Sequence, residues 1–324
     1  MGVGITERQI AIDVDGVRIP AVLSKPEPDP VTWCVLLIPG SFYNDVDGNY
    51  LMKDGNPFEA RPHVYADLAR QLSALGHAVL RYGRAGTIRL DEEAAVAHRR
   101  FSERTVVAAQ ACREMRELVP EAKACAIAGH SEGSVVALLV ATQGSDAAVD
   151  ACICLSGPAC RFFDLMIRQA EATMKDGMAS FADFKFPFEL YRKSIELVRA
   201  GEPVPDHVRS ALPPFGVHAM PEVAKQYLRD YDAVDSCKVI AHVPCPVLIV
   251  QGGRDTSVAP ENAQALFDAR TGSKTGTTKA FFPELQHFYK RVPPGISDNE
   301  LFGLEGESDG EVTDQISIWL RSIR

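Results

Sequence analysis

The stretch Ala124-Cys-Ala-Ile-Ala-Gly129-His130-Ser131-Glu132-Gly133-Ser134-Val-Val-Ala-Leu-Leu-Val-Ala141 decides the fold. A short apolar run of strand type leads in, an apolar run of helix length leads out, and two glycines bracket a serine at the junction. Gly129 and Gly133 are the residues a sharp turn needs where neighbouring backbone comes too close for a Cβ. Such a turn holds the Ser131 hydroxyl at the C-terminal end of a strand, where ligands sit in open α/β sheets. With Gly and Ser each near 7% of residues, G-x-S-x-G arises by chance roughly 0.1 times in a chain this long. The flanking strand and helix therefore carry the weight.

Working outward, the same alternation continues. Gln9–Val14 and Val17–Leu23 read as a hairpin turned at Asp15-Gly16. Trp33–Ile38, stopped by Pro39-Gly40, is an uninterrupted apolar run suited to a strand buried on both faces. Val64, Leu68, Leu72 and Leu75 recur at helical spacing and stop at Gly76, and His77–Tyr82 follows as a strand. Val106, Ala109, Met115 and Leu118 mark another helix, and Ala151–Leu155, Pro246–Val250 and Lys279–Pro283 further strands. Strands alternating with helices imply an α/β fold with a mostly parallel central sheet and helices on both faces. Between the strands at 151 and 246 the rhythm breaks. Residues 158–242 read as an inserted helical cap on a core of 1–157 and 243–324. The cap carries Phe162, Phe163, Met166, Met174, Met178, Phe181, Phe184, Phe186 and Phe188. These suit either a flexible apolar wall over a pocket or a cap core packed on itself.

The 324 residues hold 46% hydrophobic and 24% charged side chains, the balance of a globular protein with a sizeable core. A net charge of −9 repels nonspecific nucleic acid and anionic membranes. No apolar stretch reaches the length of a membrane span, and no basic and apolar leader opens the chain, so a cytoplasmic location is expected. Met1–Thr6 fits the loose myristoylation pattern, which is too short to carry that assignment. The eight cysteines sit mostly in apolar runs without a C-x-x-C pair, which reads as buried thiols in a reducing compartment. His130-Ser131-Glu132 imitates the H-x-E of zinc deaminases but lacks the P-C-x-x-C partner.

A serine hydroxyl needs a general base to become a nucleophile. His287, after the last strand in Phe281-Phe-Pro-Glu-Leu-Gln-His287, is the best placed histidine. Asp255 ends Gln251-Gly-Gly-Arg-Asp255, where a glycine-loosened strand end can present a carboxylate to that base. It would fix the histidine tautomer and stabilise the imidazolium. Singly, each would pass for a turn or surface residue. Ser131, Asp255 and His287, in that order and each at a strand end, form a catalytic set. For the oxyanion, the backbone N–H of Glu132 is one candidate donor, and Ser41 or Phe42 in the loop after Ile38 the other. The Glu132 side chain either anchors neighbouring groups or complements the helix dipole.

These residues resemble the α/β-hydrolase superfamily, and within it the bacterial esterase and acyl-thioesterase branch related to prolyl-oligopeptidase-like catalytic domains. The resemblance rests on Leu37-Ile-Pro-Gly-Ser41, Asp45-Val-Asp-Gly-Asn49, Val79-Leu-Arg-Tyr82, Gly129-His-Ser-Glu-Gly133, Cys245-Pro-Val-Leu-Ile249, Gly252-Gly-Arg-Asp255 and Phe282-Pro-Glu-Leu-Gln-His287. It implies an α/β-hydrolase fold with the cap as its insertion. Family members often carry an Asp and an Arg-Gly after the Tyr of the fourth strand, where this chain has Tyr82-Gly83-Arg84-Ala85-Gly86. Arg84 could bind an acidic group, and a solvated surface arginine is the reading preferred. Asp45 and Asp47 are read as a structural turn, since an EF-hand would need Glu at position 56, which is Asn.

The expected activity is hydrolysis of a carboxylic ester or thioester through an acyl-enzyme on Ser131, falling as pH drops through the histidine range. An acyltransferase or cyclase using a non-water acceptor is the alternative, and a noncatalytic binding protein is disfavoured. Peptidase activity draws no support from the sequence. No metal and no organic cofactor is expected. The expected partner is a small-molecule acyl substrate, with neither nucleic acid nor membrane, and a homodimer is left open.

Overall fold

Eight strands, in the order β1-β2-β4-β3-β5-β6-β7-β8, make one sheet in the computed structural model, which describes residues 4–27, 31–41, 44–50, 60–84, 100–143, 149–177, 181–213 and 216–323. They are β1 (Gly4–Val14), β2 (Val17–Glu27), β3 (Cys34–Ile38), β4 (Ala78–Tyr82), β5 (Cys125–His130), β6 (Ala151–Leu155), β7 (Val247–Gly252) and β8 (Thr277–Phe282). β1 and β2 form the antiparallel hairpin, and β2 meets β4 antiparallel through Ala21–Ser24. Pro20 and Pro26 fall outside that second pairing, where a missing N–H costs no ladder bond to β4. From β4 to β8 every neighbour is parallel.

The helices are α1 (Val64–Ala74), α2 (Phe101–Leu118), α3 (Glu132–Ala141), α4 (Phe162–Gly177), α5 (Phe181–Ala200), α6 (Asp206–Arg209), α7 (Glu222–Asp232), α8 (Ser236–Ala241), α9 (Glu261–Ala269) and α10 (Gly310–Ser322). Every residue of β3 to β7 is buried, which accounts for their unbroken apolar runs. Side-chain alternation divides them between two faces. Val35, Leu37, Val79, Ala126, Ala128, Ile153, Leu248 and Val250 join Leu68 and Leu72 of α1 and Ile316 and Leu320 of α10 in one core. Leu36, Ile127, Cys152 and Ile249 point the other way, where α3 packs on β5 and β6 and α9 on β7 and β8. In α2 the buried face is Val107, Ala108, Ala111, Cys112 and Met115, so Val106, counted on the apolar face from the sequence, is exposed instead.

The chain divides into two compact units. The second comprises Cys160–Asp235 with residues 100–102, narrower than the 158–242 expected, because α8 packs on α3 and α9 in the first. It has its own core of Phe163, Ile195, Val198, Val204, Val208, Leu212 and Val217, with Phe162 and Met166 partly buried against it. Phe162 also stacks on Tyr231 at 4.7 Å between ring centroids. Phe162, Phe163 and Met166 thus serve packing within this unit, whereas the side chains of Met178, Phe181, Phe184 and Phe186 lie outside the described residues. No described helix is long and apolar enough to cross a membrane.

Candidate active site

The turn from β5 into α3 is as tight as its glycines require. A Cβ on Gly129 would lie 2.0 Å from the Gly133 carbonyl oxygen, and one on Gly133 2.4 Å from that of Ile38. Between them Ser131 adopts φ 54°, ψ −123°, a backbone state L-residues rarely occupy and one costing about 1–3 kcal/mol. The surroundings impose it. Ser131 N–H donates to the Leu155 carbonyl (2.8 Å), while the Ser131 carbonyl accepts from Ser134 N–H (2.9 Å) and Ser134 Oγ (2.7 Å).

Asp255 and His287 meet in the loops after β7 and β8. Asp255 Oδ2 accepts from His287 Nδ1 at 2.8 Å and from Gln251 Nε2 at 3.2 Å. Its Oδ1 accepts from Ser257 N–H (3.0 Å) and Val258 N–H (2.8 Å), so a carboxylate that is only 3% exposed has both oxygens satisfied. Gly252 and Gly253 do not loosen this strand end, as their sequence context suggested, because neither adopts a positive φ. They make room: a Cβ on Gly252 would sit 2.4 Å from the Leu285 carbonyl, and one on Gly253 2.6 Å from that of Pro283. The two glycines let the Asp255 loop lie against the turn that carries His287.

The loop after β3 passes beside the elbow. A Cβ on Gly40 would be 3.3 Å from Ser131 Cβ and 3.2 Å from the His130 carbonyl. Ser41 Oγ donates to Glu132 Oε2 at 2.9 Å, whereas Phe42, the other expected donor, lies outside the described residues. Of the two roles open to the Glu132 side chain, the structure supports the anchor. It is 2% exposed and hydrogen-bonds the equally buried Arg104 of α2, which also donates to the carbonyls of Pro39 and Gly40. Arg84 is not the solvated arginine expected: its side chain is 12% exposed and its Nη1 lies 4.0 Å from Glu132 Oε1. An ion pair thus spans the elbow and the loop beside it.

Sequence reasoning missed Arg104 and Tyr65 and assigned no role to the His130 side chain. Tyr65 Oη accepts from Gly40 N–H at 2.7 Å, and His130 Nε2 lies 2.9 Å from the His287 carbonyl oxygen. Neither has a local signal, because each partner comes from a distant loop. Asp45 is a turn residue as read: Oδ1 accepts from Asp47 N–H (2.9 Å) and Asn49 N–H (2.8 Å). Asp47 Oδ1 in turn accepts from the buried Arg81 Nη2 at 3.1 Å. Among the described residues no group of three or more His, Cys, Asp or Glu side chains could hold a metal ion.

A mostly parallel sheet with a strained serine elbow after β5 and a buried Asp–His pair in the loops after β7 and β8 defines an α/β-hydrolase. Residues 61–289, well over half of the chain, match the serine aminopeptidase S33 family, and the chain belongs to it. No curated protein matches. Among solved structures, Est1E from Butyrivibrio proteoclasticus is 17% identical, with a TM-score of 0.56 over 97% of this chain and 98% of that one. A carboxyl esterase from Bacillus coagulans is 13% identical (TM-score 0.55, 98% of each chain). Proline iminopeptidase from Mycobacterium smegmatis is also 13% identical (TM-score 0.53, 98% of each). At these identities the likeness is one of fold.

Proposed function

We propose that the protein is a serine-dependent acyl hydrolase acting on a carboxylic ester or thioester. The observation that carries the reading is the strained Ser131 elbow, tied through His130 to the main chain of a His287 that is held by buried Asp255. With Nδ1–H committed to Asp255, His287 Nε2 is the free basic atom of the neutral ring. In the first half-reaction Ser131 Oγ attacks the carbonyl carbon as its proton passes to Nε2. Asp255 stabilises the imidazolium without taking the proton. The tetrahedral oxyanion is assigned to the N–H of Glu132, at the start of α3, and to the N–H of Ser41 or Phe42. Collapse expels the alcohol or thiol, which receives the proton from Nε2. Water, deprotonated by the same nitrogen, then attacks the acyl carbon, and Nε2 returns that proton to Ser131 Oγ as the acid is released.

Amide cleavage is the second reading, and the family's description as an aminopeptidase favours it. Labelling with a fluorophosphonate, followed by turnover of p-nitrophenyl esters, acyl thioesters and aminoacyl anilides, tests both. The expected result is an adduct in the wild type, none in Ser131→Ala, and free acid formed fastest from an ester or thioester. Faster cleavage of the anilides would put the amide reading first. Absence of an adduct on the folded wild type would overturn the nucleophile assignment.

A further inference from the structure

His130 is a buried histidine inside the elbow, and the reaction just described makes no use of its side chain. One explanation is a core histidine that has merely found partners. Its partners say more. Nε2 faces the His287 carbonyl at 2.9 Å, and because a carbonyl only accepts, Nε2 carries the hydrogen and Nδ1 is left as an acceptor. Tyr65 Oη stands 3.4 Å from that Nδ1, a long contact, and accepts the Gly40 N–H at 2.7 Å. The imidazoles of His130 and His287 lie 4.5 Å apart between centroids. Gly40, Tyr65, His130 and His287 thus form a chain that starts in the loop beside Ser131 and ends on the backbone of the residue that carries the base.

We propose that His130 and Tyr65 are positioning residues that fix the base-bearing loop and the Gly40 loop to the nucleophile elbow. The proposal rests on the roles given above to Ser131 and His287. The physical case is that a general base and an oxyanion donor must both be placed to within a fraction of an ångström of the reacting carbon. Each sits on a loop, and loops alone hold such positions poorly. Direct bonding of His130 to the main chain at residue 287 ties the base to the residue next to the nucleophile. Burial and the neighbouring His287 push the His130 ring down to about 3, so it stays neutral and does not repel the imidazolium formed beside it. Burial likewise keeps the Tyr65 hydroxyl protonated, with an O–H to direct at Nδ1.

The test uses His130→Leu, His130→Gln and Tyr65→Phe in the full-length protein, with p-nitrophenyl acetate turnover, fluorophosphonate labelling rate and thermal unfolding. Gln Nε2 can replace the donor to the His287 carbonyl, whereas Leu cannot. We expect His130→Leu and Tyr65→Phe to lower kcat and the labelling rate about 10- to 100-fold. KM should stay within about threefold, since only positioning is lost. His130→Gln should recover most of the loss. If His130→Leu does not fold, Tyr65→Phe decides the matter by the same criterion. Folded variants whose kcat stays within about threefold of the wild type would overturn the proposal, as would His130→Gln being no better than a folded His130→Leu. An unlabelled wild type, or an active Ser131→Ala, would instead sink the underlying assignment.

Discussion

Acid should unfold this protein partly through a single ring. His130 is 1% exposed, and its surroundings are the imidazole of His287, the carboxylate of Asp255 and the hydroxyl of Tyr65. Burial, then the charge of His287, lowers its pKa from 6.5 to about 3, although the bond to the His287 carbonyl and the field of Asp255 pull the other way. Between those values the unfolded chain binds a proton that the folded chain refuses. The stability conferred by the neutral buried ring is therefore complete above pH 6.5 and is lost progressively as pH falls towards 3. At about 1.4 kcal/mol per pH unit, acidification from pH 7 to pH 4.5 removes on the order of 2–3 kcal/mol through His130. With a urea slope near ~3 kcal/mol per molar, that is a fall of about 0.8 M in the unfolding midpoint. Carboxylates contribute as well. At Glu7, for instance, the upward push of burial is outweighed by hydrogen bonds from Arg81 and Ser24, and protonation forfeits that gain in the same direction. The informative quantity is accordingly the wild-type midpoint minus that of His130→Gln at each pH. It should drop by about 0.8 M between pH 7 and 4.5. A difference that does not change with pH would mean that the ring protonates in the fold as it does in water, and the reasoning would fail.

Further outcomes follow from the same geometry. Gly133→Ala places a Cβ 2.4 Å from the Ile38 carbonyl oxygen and 2.5 Å from that of Pro39. Relief requires a backbone displacement of about 1 Å, so kcat on p-nitrophenyl acetate should fall about 100-fold. Arg104→Met removes the buried guanidinium that hydrogen-bonds Glu132, leaving it the more distant Arg84 and Ser41 Oγ, and takes a donor from the Pro39 and Gly40 carbonyls. Urea unfolding at neutral pH should show a loss of about 3–5 kcal/mol. Asp255→Asn keeps the shape but offers an amide to His287 Nδ1, and steady-state kinetics should show kcat lower by about 10³–10⁴-fold. In each case an unchanged measurement would count against the contact invoked.

Much of the fold is written locally. Trp33–Ile38, Ala124–Ala128 and Ala151–Leu155 are runs that only a strand covered on both faces can hide, and Gly129 and Gly133 mark a turn too tight for any side chain. The order Ser131, Asp255, His287 was legible because each residue follows a strand, and parallel strands bring their C-terminal ends to one edge. In sequence, Gly252-Gly253 suggests a loosened strand end, whereas the use of the two glycines is space, which only the packing of the 283–286 turn reveals.

What sequence alone could not supply is every contact made across the sheet edge. Tyr65 and His130 are 65 residues apart, and His130 and the His287 carbonyl 157. Arg104 reads as one more charged residue on a helix until α2 brings it to Glu132. Backbone conformation answers mostly to neighbours a few residues away, so turns and strands are encoded where they occur, although the Ser131 strain is also held by the distant Leu155 carbonyl. The polarity of a buried site answers to whichever groups the completed sheet encloses. Tertiary structure therefore decided how the loops bearing Gly40, Ser131 and His287 are held together.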